Sequence, residues 1–198
     1  MDKRVLLTGE IEILETENGR ECFSCALRLL VRICGKLTVS LPKDFGAFDN
    51  ECESIAKAIE FGDRVELEIR GSANLPSGFD AVLNIGSRNL AGLPCTVVNS
   101  NGWLVRICST GADIDAICTQ TNPIGSLAAA SLGVSEVFKR LLMIKDLRGP
   151  LFGHTTFSLY SYSAGDLEPG PALPKSLRAR LTLFGAGAIG NEALDSSR

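Results

Sequence analysis

Apolar and polar residues alternate with two different periods along this chain, and each change of period marks an element. In "EIEILETENGRECFSCALRLLVRICGKLTVSLP", Ile11 and Ile13 alternate with glutamates, which predicts a strand, and Asn18-Gly19 reads as a turn. Cys22, Ala26, Leu29, Leu30 and Ile33 then recur at helical spacing, with Arg28 and Arg32 on the other face and Gly35 as a stop. Leu27, Leu29, Val31 and Ile33 also alternate, so a long strand competes there; length and the glycine stop favour the helix. Leu37, Val39 and Leu41 give a second strand. Asn50-x-x-Glu53 resembles a capping box opening a helix with Ile55, Ala56 and Ile59 inward and Gly62 at its end. "RVELEIRG" alternates Val65, Leu67 and Ile69, and "FDAVLNIGS" has the continuous apolar centre of a buried strand. "CTVVNSNGWLVRICS" predicts a hairpin around Asn101-Gly102. The longest helix opens at Asn122-Pro123, with Leu127, Ala130, Val134, Val137, Phe138 and Leu141 on its apolar face and Ser131, Ser135 and Lys139 opposite. Its small residues, Ala128 to Ala130 and Gly133, allow close approach to a neighbour. "HTTFSLYSYS" is strand-like, Pro169, Pro171 and Pro174 mark a loop, and "ARLTLFGAGAIG" begins a strand and turn afresh.

This alternation of strands and helices predicts an α/β layered, Rossmann-like fold with a mostly parallel sheet, then a linker strand and the first strand-turn of a second Rossmann-type domain. The expected boundaries are 1–148 for the first domain, 149–178 for a linker with a strand and a proline-rich loop, and 179–198 for the start of the second. Hydrophobic content of 45 % in 198 residues supports a real core. A net charge of −3 gives no footing for nucleic acid or an anionic membrane. No apolar run approaches the roughly 20 residues of a membrane span, and the start lacks the form of a secretory signal, so a cytoplasmic location is the expectation. The seven cysteines are odd in number and mostly in apolar surroundings, so small buried hydrophobes are expected rather than a disulfide framework.

Gly185, Gly187 and Gly190 fit G-x-G-x-x-G directly after the apolar run Leu181 to Phe184. The first glycine permits a tight turn, the second lets backbone approach a phosphate, and the third lets helix pack on strand. The helix start beyond offers free N–H groups and the positive end of a dipole. A dinucleotide site also needs an acidic residue about 20 positions further on, and the sequence reaches only Arg198.

"GAGAIGNE" resembles the nucleotide loop of the ThiF and ubiquitin-activating-enzyme superfamily of adenylyltransferases. "TVVNSNGWLVRIC", "NPIGSLAAASLGVSEVFKRLL" and "FSLYSYSAGDLEPGPALP" resemble the N-terminal half of its bacterial tandem members, in which an inactive adenylation-like domain precedes the active one. The resemblance implies ATP and Mg²⁺ as cofactors of the full-length family and a ubiquitin-like or sulfur-carrier protein, adenylated at its C-terminal glycine, as partner. It implies that Gly185, Ala186, Gly187, Ala188, Ile189 and Gly190 begin the ATP loop. The family's ribose-binding acid, phosphate-contacting arginine and lysine, Mg²⁺-binding aspartate, any catalytic cysteine and paired-cysteine zinc motifs match no position up to Arg198. No catalytic or metal-binding residue is therefore assigned, and a truncated, inactive member serving as scaffold and docking domain is the expectation. "IEILETENGREC", in the place of a first phosphate loop, carries only Gly19 among glutamates that repel phosphate.

Other residues carry weaker chemistry. Cys22-x-x-Cys25, near the expected helix start, permits a redox or metal reading, though one pair supplies two ligands and buried structural cysteines fit better. His154 lacks an evident nucleophile and orienter. Gly86-Ser87-Arg88 follows a buried strand, where α/β ligands bind, so Arg88 is a candidate ligand or domain contact. Trp103 is expected to pack on the hairpin. Two other functions stay open: a fragment of an NAD- or FAD-binding oxidoreductase, and a non-enzymatic interaction module, with a homodimer among its forms.

Overall fold

Five parallel strands form the centre of the molecule. The computed structural model describes residues 3–42, 46–59, 65–71, 77–142, 149–174 and 176. In chain order the elements are β1 (Arg4–Gly9), α1 (Ile11–Leu14), α2 (Glu17–Ile33), β2 (Lys36–Leu41), α3 (Gly46–Lys57), β3 (Glu66–Gly71), β4 (Ala81–Ile85), β5 (Cys95–Asn101), β6 (Leu104–Cys108), α4 (Pro123–Leu141), β7 (Thr155–Ser158) and β8 (Ser163–Ala164). The sheet runs β3-β2-β1-β4-β5-β6-β7-β8. Neighbours from β3 to β5 are parallel, and β6, β7 and β8 are added antiparallel. The protein is therefore an α/β fold with a mixed, mostly parallel sheet. Residues 149–178, read from the sequence as a linker with a strand, contribute β7 and β8 to this sheet.

Alternation within each strand decides what each sheet face meets. Val5, Leu7, Leu37, Val39, Leu83, Ile85, Val98, Val105 and Ile107 point to one face and join the apolar sides of the helices in the main core. Leu6, Val82, Cys95, Val97 and Cys108 point to the other, where Phe79, Ile114, Leu90 and Leu93 from loops cover them. β4 and β5 are buried along their whole length, as continuous apolar runs dictate. α2 and α4 lie side by side on the helical face. Asn122 caps α4 as its position before Pro123 predicts, its side chain accepting from the Ile124 N–H at 2.9 Å. No helix among the described residues is long and apolar enough to cross a membrane.

Four local expectations change. Ile11 and Ile13 lie in the single helical turn α1, not in a strand. The strand there is "RVLLTG", and Ile13 and Leu14 are buried as adjacent residues, which a two-residue period forbids. Asn18-Gly19 is not a turn but the first turn of α2, whose N-cap Thr16 accepts from the Gly19 N–H at 3.0 Å. A Cβ on Gly19 would collide with the Ile13 carbonyl, so the glycine serves the close approach of α1 to α2. Asn50 lies inside α3, which begins at Gly46, and Glu53 pairs with Lys57 at 3.0 Å instead of closing a capping box. Gly62 lies outside the described residues. Finally, α4 buries Ser126, Ala129, Ala130, Gly133, Val134, Glu136, Val137 and Leu141, while Leu127 and Phe138 are exposed.

Gly133 sets the closeness of α4 to the sheet. A Cβ there would lie 2.7 Å from Leu83 Cδ1 and 3.1 Å from Val98 Cγ1. Gly133→Ala trades about 1 kcal/mol of helix propensity against that contact, whereas Gly133→Val adds two methyls to a filled space. We expect Gly133→Val to lower unfolding stability by roughly 2 kcal/mol in urea titrations; an unchanged midpoint would show that α4 is not seated on β4 and β5 at this level.

Candidate functional site

In open α/β sheets, ligands bind beyond the carboxyl ends of the strands, where the chain's direction of winding reverses. Here that place lies between β1, which leads outward to β2, and β4, which returns to its other side. The residues at the ends of these strands are Gly9 and Glu10 after β1, and Gly86, Ser87 and Arg88 after β4.

The crevice is filled by the chain itself. Glu10 begins α1, with its N–H donating to the carbonyl of Ile85 at 3.0 Å. Its carboxylate turns into the loop after β4. Oε1 accepts from the N–H of Ser87 at 2.9 Å, the N–H of Arg88 at 2.7 Å and Asn84 Nδ2 at 3.2 Å. Oε2 accepts from the Ser87 hydroxyl at 2.8 Å. Asn84 is itself oriented by donating to the Arg88 carbonyl at 2.8 Å. Four donors thus converge on one anion, as they converge on a phosphate in a nucleotide-binding turn. A Cβ on Gly86 would strike the Glu10 carboxylate, so the glycine is required by that approach.

A second layer closes the crevice from the side of β5. The irregular segment 109–121 passes over the strand ends and is held mainly through its backbone. Asn99 Nδ2 donates to the carbonyls of Gly86 at 2.9 Å and Asp115 at 2.7 Å. Asn101 Oδ1 accepts from the N–H groups of Thr119 and Gln120, both at 3.0 Å. Asn18, reaching across from α2, donates to the Gln120 carbonyl at 2.9 Å and accepts from the Asn122 N–H at 2.8 Å. Arg106 is buried and donates to the Ile117 carbonyl at 2.8 Å. Its burial lowers the guanidinium pKa, and the Asp115 charge opposes that shift. Each asparagine satisfies backbone groups that have no sheet or helix partner, which offsets the cost of burying both. A neighbouring hollow lined by Ile13, Thr16, Asn18, Gly19, Ile85, Asn99 and Cys118 has no room for a water molecule.

The residues singled out from the sequence are dispersed. Gly185, Ala186, Gly187, Ala188, Ile189 and Gly190 lie outside the described residues. Arg88 stands at the strand end as expected, but its backbone makes the contacts, donating to Glu10 and accepting from Asn84. Cys22 lies well inside α2, away from the helix start, and is fully buried, and Cys25 is half-buried beside it; both are free thiols. Burial raises both pKa values, and Arg28 and Arg32 partly oppose that at Cys25. Burial likewise pushes Cys34 up to about 12 and Cys95 up to about 11. Raised thiol pKa values suit inert core cysteines. His154 is exposed ahead of β7. Trp103, expected to pack on the hairpin, has its partners beyond it: Nε1 donates to the Pro171 carbonyl at 2.8 Å, and its ring lies 6.2 Å from that of Tyr160. Among the described residues, no group of three or more His, Cys, Asp or Glu is arranged to hold a metal ion.

Comparison with protein-family models and with curated proteins gave no match.

Removal of the Glu10 carboxylate strands the donors that meet it. Glu10→Ala is expected to cost roughly 2 kcal/mol of unfolding free energy, and Glu10→Gln, which keeps an acceptor oxygen, less. Added formate or acetate should restore part of the loss in Glu10→Ala, saturably, and leave the parent protein unchanged. Equal denaturation midpoints for parent and Glu10→Ala would refute this arrangement.

Proposed function

We propose that the described unit is the non-catalytic, Rossmann-like companion domain of a ThiF-type adenylyltransferase, serving as scaffold and docking surface. The observation that carries the reading is the Glu10 carboxylate on the donors of Asn84, Ser87 and Arg88. An active domain of this kind receives the nucleotide phosphate at the first strand–helix turn, and here that turn puts a carboxylate into the crevice. A carboxylate already seated there excludes a second anion by occupancy and by repulsion. ATP and Mg²⁺ therefore do not fit this crevice, and no chemical step is assigned to it.

The strand order β3-β2-β1-β4-β5 supports the Rossmann-like description. The ATP loop of the reading is Gly185, Ala186, Gly187, Ala188, Ile189 and Gly190, which follows this unit in the sequence. The partner implied is a ubiquitin-like or sulfur-carrier protein with a C-terminal glycine, in the cytoplasm.

The test is ATP–pyrophosphate exchange by the 198-residue chain, together with calorimetric titration of ATP and Mg²⁺. Neither exchange nor binding is expected. Exchange above the protein-free background, or ATP binding that survives replacement of Gly185 and Gly187 by bulkier residues, would contradict the assignment of this unit as non-binding.

A further inference from the structure

The chain leaves the sheet across the turn between β5 and β6, and one residue holds it there. Just after β8, the Gly165 N–H donates to the Thr156 carbonyl at 2.8 Å. The Asp166 carboxylate accepts from the Ser161 hydroxyl at 2.8 Å and the Glu168 N–H at 3.0 Å. This end is thus tied to the hairpin it comes from. Beyond Glu168, the hydrogen bonds among the described residues are two, and Trp103 donates both. Its backbone N–H reaches the Pro169 carbonyl and its Nε1 the Pro171 carbonyl, each at 2.8 Å. A proline has no N–H, so these two can be held only through their carbonyls.

Both sides of the contact are shaped for it. A Cβ on Gly102 would strike the Pro169 carbonyl, and one on Gly170 would lie 2.8 Å from Trp103 Cδ1 and 3.4 Å from Tyr160 Cβ. Both glycines have positive φ, 59° and 75°, so conformation and space alike require them. The seat itself is firm. The Gly102 N–H donates to the Gln120 carbonyl at 2.8 Å, and the Trp103 carbonyl accepts from the Leu159 N–H at 3.0 Å. The stretch lying on it carries little of the fold. No residue from Gly165 to Pro174 is buried, and Leu167 is 71 % exposed. Lifting it uncovers no core side chain, and local opening is easiest where buried contacts are few.

We infer that residues 165–171 form a strap that buckles onto Trp103 and opens without the sheet. Closed, the strap gives the rest of the chain one point and direction of departure from the unit. Open, it frees that departure and bares the Trp103 and Tyr160 rings, which lie 6.2 Å apart. Trp103 is therefore a positioning residue for whatever follows the strap. The inference rests on these contacts, independently of the adenylyltransferase reading.

Hydrogen exchange of the 198-residue chain tests it, because Trp103 is the single tryptophan and its indole proton is identified at once. One opening releases its indole and backbone N–H, so their protection factors should agree within about threefold and lie at least about tenfold below those of the β4 and β5 amides. Gly170→Val sets a branched side chain against Trp103. It should lower both protections by about tenfold or more while the β4 and β5 amides keep theirs. Trp103→Phe keeps a ring and loses the Nε1 donor, and should speed thermolysin cleavage ahead of Leu167 without changing the far-UV spectrum. Trp103 protons protected as strongly as the sheet, or exchanging independently of each other, would overturn the strap. So would a Gly170→Val chain with parent protection, or a Trp103→Phe chain cleaved at the parent rate.

Discussion

The carboxylate of Glu10 is the constraint around which the carboxyl end of the sheet is organised. It fixes the first turn after β1 to the loop after β4, the two segments that must separate to admit a ligand between them. Charge-assisted hydrogen bonds of this length to backbone N–H groups are strong because the donors cannot turn away. With Glu10 in place, Asn84 and Ser87 are oriented, and the carbonyl of Ser87 accepts from Ile114 at 2.7 Å, which starts the closure by 109–121.

That closure gives the unit an unusual balance of polar and apolar packing. One sheet face is covered by helices through ordinary hydrophobic contact. The other depends on irregular backbone, which must find partners for every buried N–H and carbonyl. Asn99 and Asn101 supply part of them, Asn18 reaches the same segment from α2, and at the opposite end of β5 Arg140 Nη2 from α4 donates to the carbonyls of Cys95 at 3.1 Å and Ser109 at 2.6 Å. A crevice whose donors are already taken suits holding another element in place better than admitting a substrate.

Much of the fold was legible in the sequence because its elements bury residues with a clear period. β2, β4, the β5–β6 hairpin and α4 lie where patterning places them, the last down to its asparagine cap. β1 was missed because "RVLLTG" is apolar on both faces and carries no alternation, while the neighbouring "EIEIL" alternates by accident. The outward residues of α4 misled in the opposite sense. Leu127 and Phe138 fit a helical stripe, but the stripe is wider than the face the sheet can cover. The site itself was half legible. Glutamates in the place of a phosphate loop signalled an anion-repelling turn, but the carboxylate that occupies the donors is Glu10, one residue ahead of that stretch. Asparagines inside otherwise apolar strands, Asn84 in "AVLNI" and Asn99 and Asn101 in "CTVVNSN", were the overlooked sign of a buried polar network.

The central claim is that the donors at the strand ends are committed to the protein's own carboxylate. The most direct measurement follows the backbone amide resonances of Ser87 and Arg88 in ¹H–¹⁵N spectra. Glu10→Ala should move both resonances together, and ATP with Mg²⁺ added to the parent protein should leave them in place. Amides that ignore the loss of the carboxylate, or that shift saturably with the nucleotide, would contradict the account.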